Sequence, residues 1–198
     1  MQSLALELYR LGMVRFGRFR LTSGAESPYY IDLRPLPSYP EVFRKVALRM
    51  AALLEGYNYD YIVGVATGGV PLATAVALMA GKPMGYVRPE AKTHGTGRRL
   101  EALVEGRRVA IIDDVATTGG SLAATVEAVR EGGGEPIIAV VVVDREQGAA
   151  ERIRGLGVEF VQLLKASQLF AELCAAGIIG EDRYLELLRY VSSSAQGR

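Results

Sequence analysis

The stretch Arg108–Ser121, RVAIIDDVATTGGS, determines the fold class because it joins three different kinds of sequence. An apolar run comes first and is typical of a strand that is buried on both faces. Two adjacent acids, Asp113 and Asp114, follow at the carboxyl end of that run. A hydroxyl- and glycine-rich run from Thr117 to Ser121 then leads into a predicted helix. This order of strand, acids, loop and helix is typical of ligand sites in parallel α/β sheets.

The chemistry of this stretch narrows the ligand that it can bind. Free N–H groups at the start of a helix attract anions, and glycines let a phosphate approach the backbone closely. Carboxylates accept hydrogen bonds from sugar hydroxyls but repel phosphate. The sequence therefore predicts a ligand that carries a phosphate near a diol, such as a 5-phosphorylated ribose. Neither the G-x-x-x-x-G-K-[ST] nor the G-x-G-x-x-G phosphate motif is present.

The surrounding chain alternates between apolar runs and helical patterns, which predicts an α/β fold with a mainly parallel sheet flanked by helices. The predicted strands cover residues 61–66, 108–113, 136–143 and 158–163, and the predicted helices between and after them cover about 70–80, 120–131 and 147–154. Upstream, the pattern predicts helices over residues 2–12 and 41–55 and short extended pieces over 13–34.

The sequence predicts three further local features: a helix cap, a helical tail and a polar segment that interrupts the alternation. Ser38 is the predicted cap of the helix over residues 41–55. The tail has two short helical patterns, over residues 169–175 and 184–190, and its last seven residues are expected to fray. The polar segment 84–107 does not fit the alternation, and such an insertion is either functional or disordered.

Composition excludes several classes of protein. The chain has 198 residues and a net charge of +1, which predicts one domain and no general affinity for nucleic acid. Its single histidine, His94, and single cysteine, Cys174, exclude a site with two histidines and an intrachain disulfide. No apolar run reaches the ~18 residues of a membrane span, and the first residues do not resemble a secretory signal. A cytoplasmic protein without a membrane partner is therefore expected.

The run IIDDVATTGGS resembles the phosphoribosyl pyrophosphate (PRPP) motif of the type I phosphoribosyltransferases, a motif that alone leaves the acceptor base open. SPYYIDLR (27–34), RPEAKTHGTG (88–97) and VDREQG (143–148) resemble segments of the orotate phosphoribosyltransferases, in the same order. The resemblance implies one phosphoribosyltransferase domain over residues 1–198 with the type I fold. It also implies an N-terminal hood over about 1–40 and a mobile catalytic loop over 84–107.

This resemblance implies transfer of the 5-phosphoribosyl group from PRPP to orotate, in pyrimidine biosynthesis, with Mg²⁺ as cofactor. The acids would hold the ribose hydroxyls directly or through the water shell of the metal, without a direct protein ligand to Mg²⁺. The implied catalytic residues are Lys92, His94, Asp113 and Asp114. The implied PRPP-binding residues are Arg88, Lys92, His94, Asp113, Asp114, Val115, Ala116, Thr117, Thr118, Gly119, Gly120 and Ser121. The implied orotate-binding residues are Tyr29, Tyr30, Thr117 and Arg145.

The resemblance further implies a homodimer in which the catalytic loop acts in the partner's site. Three positions depart from the better-known bacterial pattern, because lysine is common where this chain has Thr22, Gly68 and Pro89. Fewer cations should weaken the binding of an anionic substrate unless other residues compensate. The candidates for that compensation are Arg20, Arg98 and Arg99.

Other interpretations of these residues stay open at the level of sequence. His94 and Arg145 can be surface residues, and Asp113-Asp114 can be a strand end with a helix cap. The run 64–71, GVATGGVP, can be a simple strand-to-helix turn. Two other functions also fit the PRPP motif: a phosphoribosyltransferase for another base, and a regulator that binds PRPP without catalysis.

Overall fold

The structure, a computed structural model, describes residues 3–20, 24, 26–89 and 99–196. The helices are α1 (Leu4–Arg10), α2 (Pro40–Leu54), α3 (Gly69–Ala80), α4 (Gly120–Glu131), α5 (Ala149–Gly155), α6 (Ala166–Ala175) and α7 (Glu181–Gln196). The strands are β1 (Val14–Arg20), β2 (Glu26–Ile31), β3 (Tyr61–Val65), β4 (Met84–Val87), β5 (Leu100–Glu101), β6 (Arg108–Ala116), β7 (Glu135–Asp144) and β8 (Glu159–Lys165).

Six strands form one sheet in the order β5-β4-β3-β6-β7-β8. All neighbouring pairs are parallel except β4 and β5, which confirms the prediction of a mainly parallel sheet. Strand β6 lies at the centre between β3 and β7, and its Asp113 pairs with Val141. The carboxyl ends of β3, β6 and β7 therefore meet at one edge of the sheet, where a parallel α/β fold places its ligand.

Helices cover the sheet on both faces. Successive residues of a strand point to opposite faces, so Ile112 of β6 joins one apolar cluster and Ile111 joins the other. The first cluster contains residues of α1, α2, α3, α6 and α7, and the second contains residues of α4 and α5. Helices α4 and α5 thus lie on the opposite face of the sheet from α2 and α3.

The N-terminal hairpin forms a second, separate sheet. Strands β1 and β2 pair antiparallel, with Val14 opposite Ile31. Tyr29 of β2 is fully buried, and its ring lies 4.9 Å from that of Phe170 in α6 and 5.8 Å from that of Tyr190 in α7, between centroids. These ring contacts hold the hairpin against the C-terminal helices and so determine where its residues lie relative to the main sheet.

Several boundaries differ from the sequence predictions. Strand β6 continues through the acid pair to Ala116, because its partner β7 also continues to Asp144 and keeps the ladder paired. The predicted cap at Ser38 is wrong: Leu36–Ser38 is a 3₁₀ turn, and α2 begins at Pro40, whose fixed φ suits a first helical turn. The last residues do not all fray, since α7 runs to Gln196.

The polar segment 84–107 is also more structured at its ends than the sequence suggested. Met84–Val87 is strand β4, Leu100–Glu101 is strand β5, and Val104 is buried in the second cluster. Residues 90–98, between these ends, lie outside the described part of the chain. Among the described residues, none of the helices is both long and apolar enough to span a bilayer.

Candidate functional site

The acid pair lies at the carboxyl end of the central strand β6. Asp113 is only 7% exposed, and the pKa of its carboxyl group is raised well above the usual value, first by burial and then by the charge of Asp114. The N–H of Asp114 donates to Oδ1 of Asp113 at 2.9 Å, and the N–H of Val115 donates to Oδ1 of Asp114 at 2.8 Å. These bonds leave oxygen atoms of both carboxylates for a ligand at the edge of the sheet.

The turn between β3 and α3 packs directly on the acid pair. A Cβ atom added at Gly68 would collide with the carboxylate of Asp114, and one added at Gly69 would lie 3.0 Å from Cα of Asp113. The carboxylate of Asp114 therefore occupies the space in which a side chain at position 68 would begin. A lysine at position 68, which is common in the bacterial pattern, would have to displace the carboxylate of Asp114 from this position.

The loop Thr117–Gly119, which is predicted to hold a phosphate, connects β6 to α4. Gly119 has φ of 73°, and a Cβ there would lie 3.0 Å from Cα of Ala149, so both the turn and the packing require glycine. Within the described part of the chain, no side chain caps the N-terminus of α4. The first N–H groups of that helix have no partners within it, which makes them available to an anion.

Arg145 follows β7 and is a buried cation at the same edge of the sheet. Its guanidinium is 5% exposed, lies 4.6 Å above the ring of Tyr29, and donates to the hydroxyls of Tyr29 and Ser27 at 3.3 Å each. It makes no ion pair with any described residue. A buried guanidinium whose protein partners are only neutral hydroxyls is suited to an anionic ligand.

The hood residues predicted to contact the base lie on β2 next to Arg145. Burial raises the pKa of the Tyr29 hydroxyl, while the charge of Arg145 acts in the opposite direction. Because the Tyr29 side chain is fully buried beneath Arg145, it orients the guanidinium. Tyr30 is half-buried, and its hydroxyl accepts from Nη2 of Arg34 at 3.3 Å.

Arg88 lies at the end of β4, where the predicted catalytic loop begins. Its Nε donates to Oε1 of Glu101 at 3.0 Å, so the ion pair joins the two described ends of the loop. Arg88, Arg99, Gly120 and Ser121 line a cavity of about 240 Å³ between β4 and α4. The structure thus brings Arg88 and Arg99 beside the phosphate loop, while Lys92, His94, Thr22 and Arg98 lie outside the described residues.

Two side chains near the site were not among the residues that the sequence analysis assigned to binding or catalysis. Nη2 of Arg183, in α7, donates to the carbonyl of Pro28 at 2.8 Å and so anchors the β2 segment of the hood. Nε2 of Gln147, two residues after Arg145, is buried without a hydrogen-bond partner in the described structure. Contacts such as the first join residues far apart in the chain, which periodicity and local motifs cannot detect.

Comparison with known proteins places the chain in a family. The model of the phosphoribosyl transferase domain matches residues 38–158, which is more than half of the chain. An orotate phosphoribosyltransferase of Sulfolobus acidocaldarius is 46% identical over 170 residues, which is 86% of each chain. The chain belongs to the orotate phosphoribosyltransferase family.

Solved structures agree with membership of the orotate phosphoribosyltransferase family. The orotate phosphoribosyltransferase of Aeropyrum pernix is 38% identical with a TM-score of 0.77, over 90% of this chain and 100% of that one. The UMP synthase of Leishmania donovani is 34% identical with a TM-score of 0.86, over 96% of this chain. The chain spans 42% of the length of that synthase. The predicted type I fold and family are confirmed, and the roles of individual orotate phosphoribosyltransferase residues stay predictions.

Proposed function

We propose that this chain transfers the 5-phosphoribosyl group of PRPP to orotate and releases pyrophosphate, giving orotidine 5′-monophosphate for pyrimidine synthesis. In this reaction a ring nitrogen of orotate forms a bond to C1 of the ribose as the bond from C1 to pyrophosphate breaks. The observation that carries the proposal is the position of Arg145, a buried cation with no anionic partner in the described structure, at the same sheet edge as the acid pair. Orotate differs from other pyrimidine bases in its carboxylate, which the planar guanidinium of Arg145 can bind through two hydrogen bonds.

The acid pair is suited to the ribose of PRPP. Carboxylate oxygens accept hydrogen bonds from a diol, and their negative charge stabilises the oxocarbenium-like sugar that forms as pyrophosphate leaves. We assign this role to Asp113 and Asp114, because both lie near the carboxyl end of β6 and backbone N–H groups hold Oδ1 of each carboxylate in place. The phosphate loop from Thr117 to Ser121 follows them directly and would hold the 5-phosphate.

The residues present also fit Mg²⁺. Two adjacent carboxylates supply the oxygen ligands that Mg²⁺ prefers, and a cation beside Asp113 would offset the burial that raises the pKa of its carboxyl group. Among the described residues, no group of three or more His, Cys, Asp or Glu side chains could hold a metal ion. We therefore assign most of the coordination to the phosphates of PRPP and to water, with Asp113 and Asp114 next to the water shell. Bound Mg²⁺ would neutralise charge on the leaving pyrophosphate.

We assign the remaining cations of the reaction to the catalytic loop. Lys92 and His94, with Arg88 at the loop base, would surround the pyrophosphate as its negative charge develops. Loop closure would exclude water, which could otherwise hydrolyse PRPP, and loop opening would release the product.

We further propose that the chain acts as a homodimer through the face that includes α3. Leu78 and Met79 are 80% and 41% exposed, although α3 is an apolar helix. A helix that is apolar on nearly all sides is expected to be covered on its outer face. Helix α3 begins at Gly69, directly against the acid pair, and Leu78 and Met79 lie near its other end, so the same helix would join the proposed contact to the site.

An absorbance assay with orotate, PRPP and Mg²⁺ tests the proposed activity directly. We expect orotate to be consumed only when PRPP and the metal are both present, with no comparable turnover of uracil or purine bases. Turnover of another base in place of orotate would refute the assignment of Arg145. PRPP binding without turnover of any base would favour the regulator.

Mixing two inactive variants tests whether the loop acts in the partner's site. Lys92→Ala lacks the loop cation, and the double variant Asp113→Asn/Asp114→Asn lacks the acid pair. At equal mixing, half of the dimers are hybrids, and one of the two sites in each hybrid is complete. The mixture should therefore regain up to about a quarter of the wild-type activity per subunit. The measurement is the rate after subunit exchange, with exchange verified by native mass spectrometry. No recovery in verified hybrids would place each site within one chain.

A further inference from the structure

The space in front of α4 is bounded by a side chain that no sequence motif suggested. A Cβ added at Gly120 would lie 3.6 Å from Nη1 of Arg152 and 3.8 Å from Oγ1 of Thr118. Both distances are ordinary contacts, and the φ of Gly120 is not in the left-handed region, so neither packing nor conformation requires a glycine here. The glycine leaves room for a ligand atom between a hydroxyl and a guanidinium, at the start of a helix.

Arg152 is available to such a ligand. Among the three arginines of α4 and α5, Arg130 donates to the carbonyl of Leu156 at 2.6 Å and Arg154 donates to that of Phe160 at 3.1 Å. The side chain of Arg152 is exposed and makes no hydrogen bond or ion pair in the described structure. Its charge is therefore not neutralised by the protein.

The position of Arg152 relative to the phosphate loop is set by packing between the two elements. Gly119 lies against Ala149, the first residue of α5, and the N–H of Arg145 donates to the carbonyl of Ala116 at 2.9 Å. The turn from β7 into α5 is thus joined to the loop at both ends. Arg152 lies one helical turn beyond Ala149, on a helix that the loop itself contacts.

We propose that Arg152 binds the 5-phosphate of PRPP from the α5 side, opposite the N–H groups of α4. The proposal rests on the proposed function, because it assumes that the loop holds this phosphate. Residues 117–121 supply hydroxyls and backbone groups but no positive charge. The dianionic phosphate would gain a charge-assisted contact from the guanidinium, whose planar fork can bind two phosphate oxygens. Arg152 would then supply positive charge at the 5-phosphate end of PRPP.

Ribose 5-phosphate and pyrophosphate each correspond to one end of PRPP, so their affinities measure binding at the two ends separately. We expect Arg152→Gln to weaken ribose 5-phosphate binding by about tenfold, the usual effect of losing one partly exposed charge-assisted hydrogen bond. Inhibition by pyrophosphate should not change, and the KM for PRPP should rise with little change in kcat. Arg152→Lys keeps the charge but lacks the planar fork, so its affinity for ribose 5-phosphate should lie between those of the wild type and Arg152→Gln. Titration calorimetry on the full chain measures the affinities.

Arg49→Gln is the matched control, since it removes one exposed arginine from α2 on the opposite face of the sheet. It should leave both affinities at the wild-type level. Equal ribose 5-phosphate affinity in wild type and folded Arg152→Gln would overturn the role of Arg152, as would equal weakening of ribose 5-phosphate and pyrophosphate. Failure of the wild type to turn over orotate with PRPP would instead refute the proposed function.

Discussion

Replacing Asp113 and Asp114 together by asparagine is expected to lower turnover by about 10³-fold or more, because each removes charge stabilisation worth about 10²–10³ in rate. The same change should not lower heat stability. Burial raises the pKa of Asp113, so the unfolded state gives up this proton more readily than the folded state does. The charged carboxylate therefore opposes folding as pH rises through the raised pKa, and a neutral amide avoids that cost. Steady-state rates and thermal melts at neutral pH measure the two effects.

Asp60→Asn is the control, because Asp60 precedes β3 and contacts the amino end of β6, far from the acid pair, and the expected change in heat stability has the opposite sign. The guanidinium and N–H of Arg108, the first residue of β6, donate to Asp60 and lower the pKa of its carboxyl to about 2. That carboxylate favours the folded state above its unfolded pKa, and the contribution is lost as pH falls toward 2. Asp60→Asn should therefore reduce heat stability at neutral pH and leave turnover near the wild-type rate. Wild-type turnover in the acid-pair variant would contradict its catalytic role.

Arg145→Gln is expected to lower kcat/KM for orotate by about 100-fold or more, because a buried bidentate pair with the carboxylate is lost. Arg145→Lys should recover only part of the activity, since an ammonium keeps the charge but lacks the planar fork. The rate with uracil, which has no carboxylate, should change little. The measurement is the ratio of the two rates, so a general loss of activity is distinguished from a loss of orotate recognition.

Tyr29→Phe is the graded control for this experiment. It keeps the ring beneath the guanidinium and removes only the hydroxyl that accepts from Nε of Arg145 at 3.3 Å. Losing one hydrogen bond to a positioning residue should cost about 3- to 10-fold in kcat/KM for orotate. If Arg145→Gln retained the wild-type preference for orotate over uracil, the base would be recognised by other residues.

The acid pair and the phosphate loop were accessible to sequence reasoning because they are contiguous. A buried strand, two carboxylates and a glycine-rich helix start follow one another between Arg108 and Ser121, and the structure places them in that order. The errors were at boundaries: neither the extension of β6 to Ala116 nor the 3₁₀ turn at Leu36–Ser38 follows from local pattern. Each depends on a partner strand or on backbone geometry that periodicity does not record.

The absence of a lysine at position 68 is a feature whose structural setting only the tertiary structure shows. The sequence alone indicates a missing cation at position 68, whereas the fold shows that a side chain there would have to displace the carboxylate of Asp114.

The amino-acid sequence by itself determined the fold class, because hydrophobic periodicity and loop chemistry act between near neighbours, and its motifs carried the resemblance that implied the family and the reaction class. Only the tertiary structure placed Arg145 over Tyr29, Arg183 on Pro28 and Arg152 beside Gly120. These contacts join segments far apart in the chain, and packing of whole elements against one another determines them.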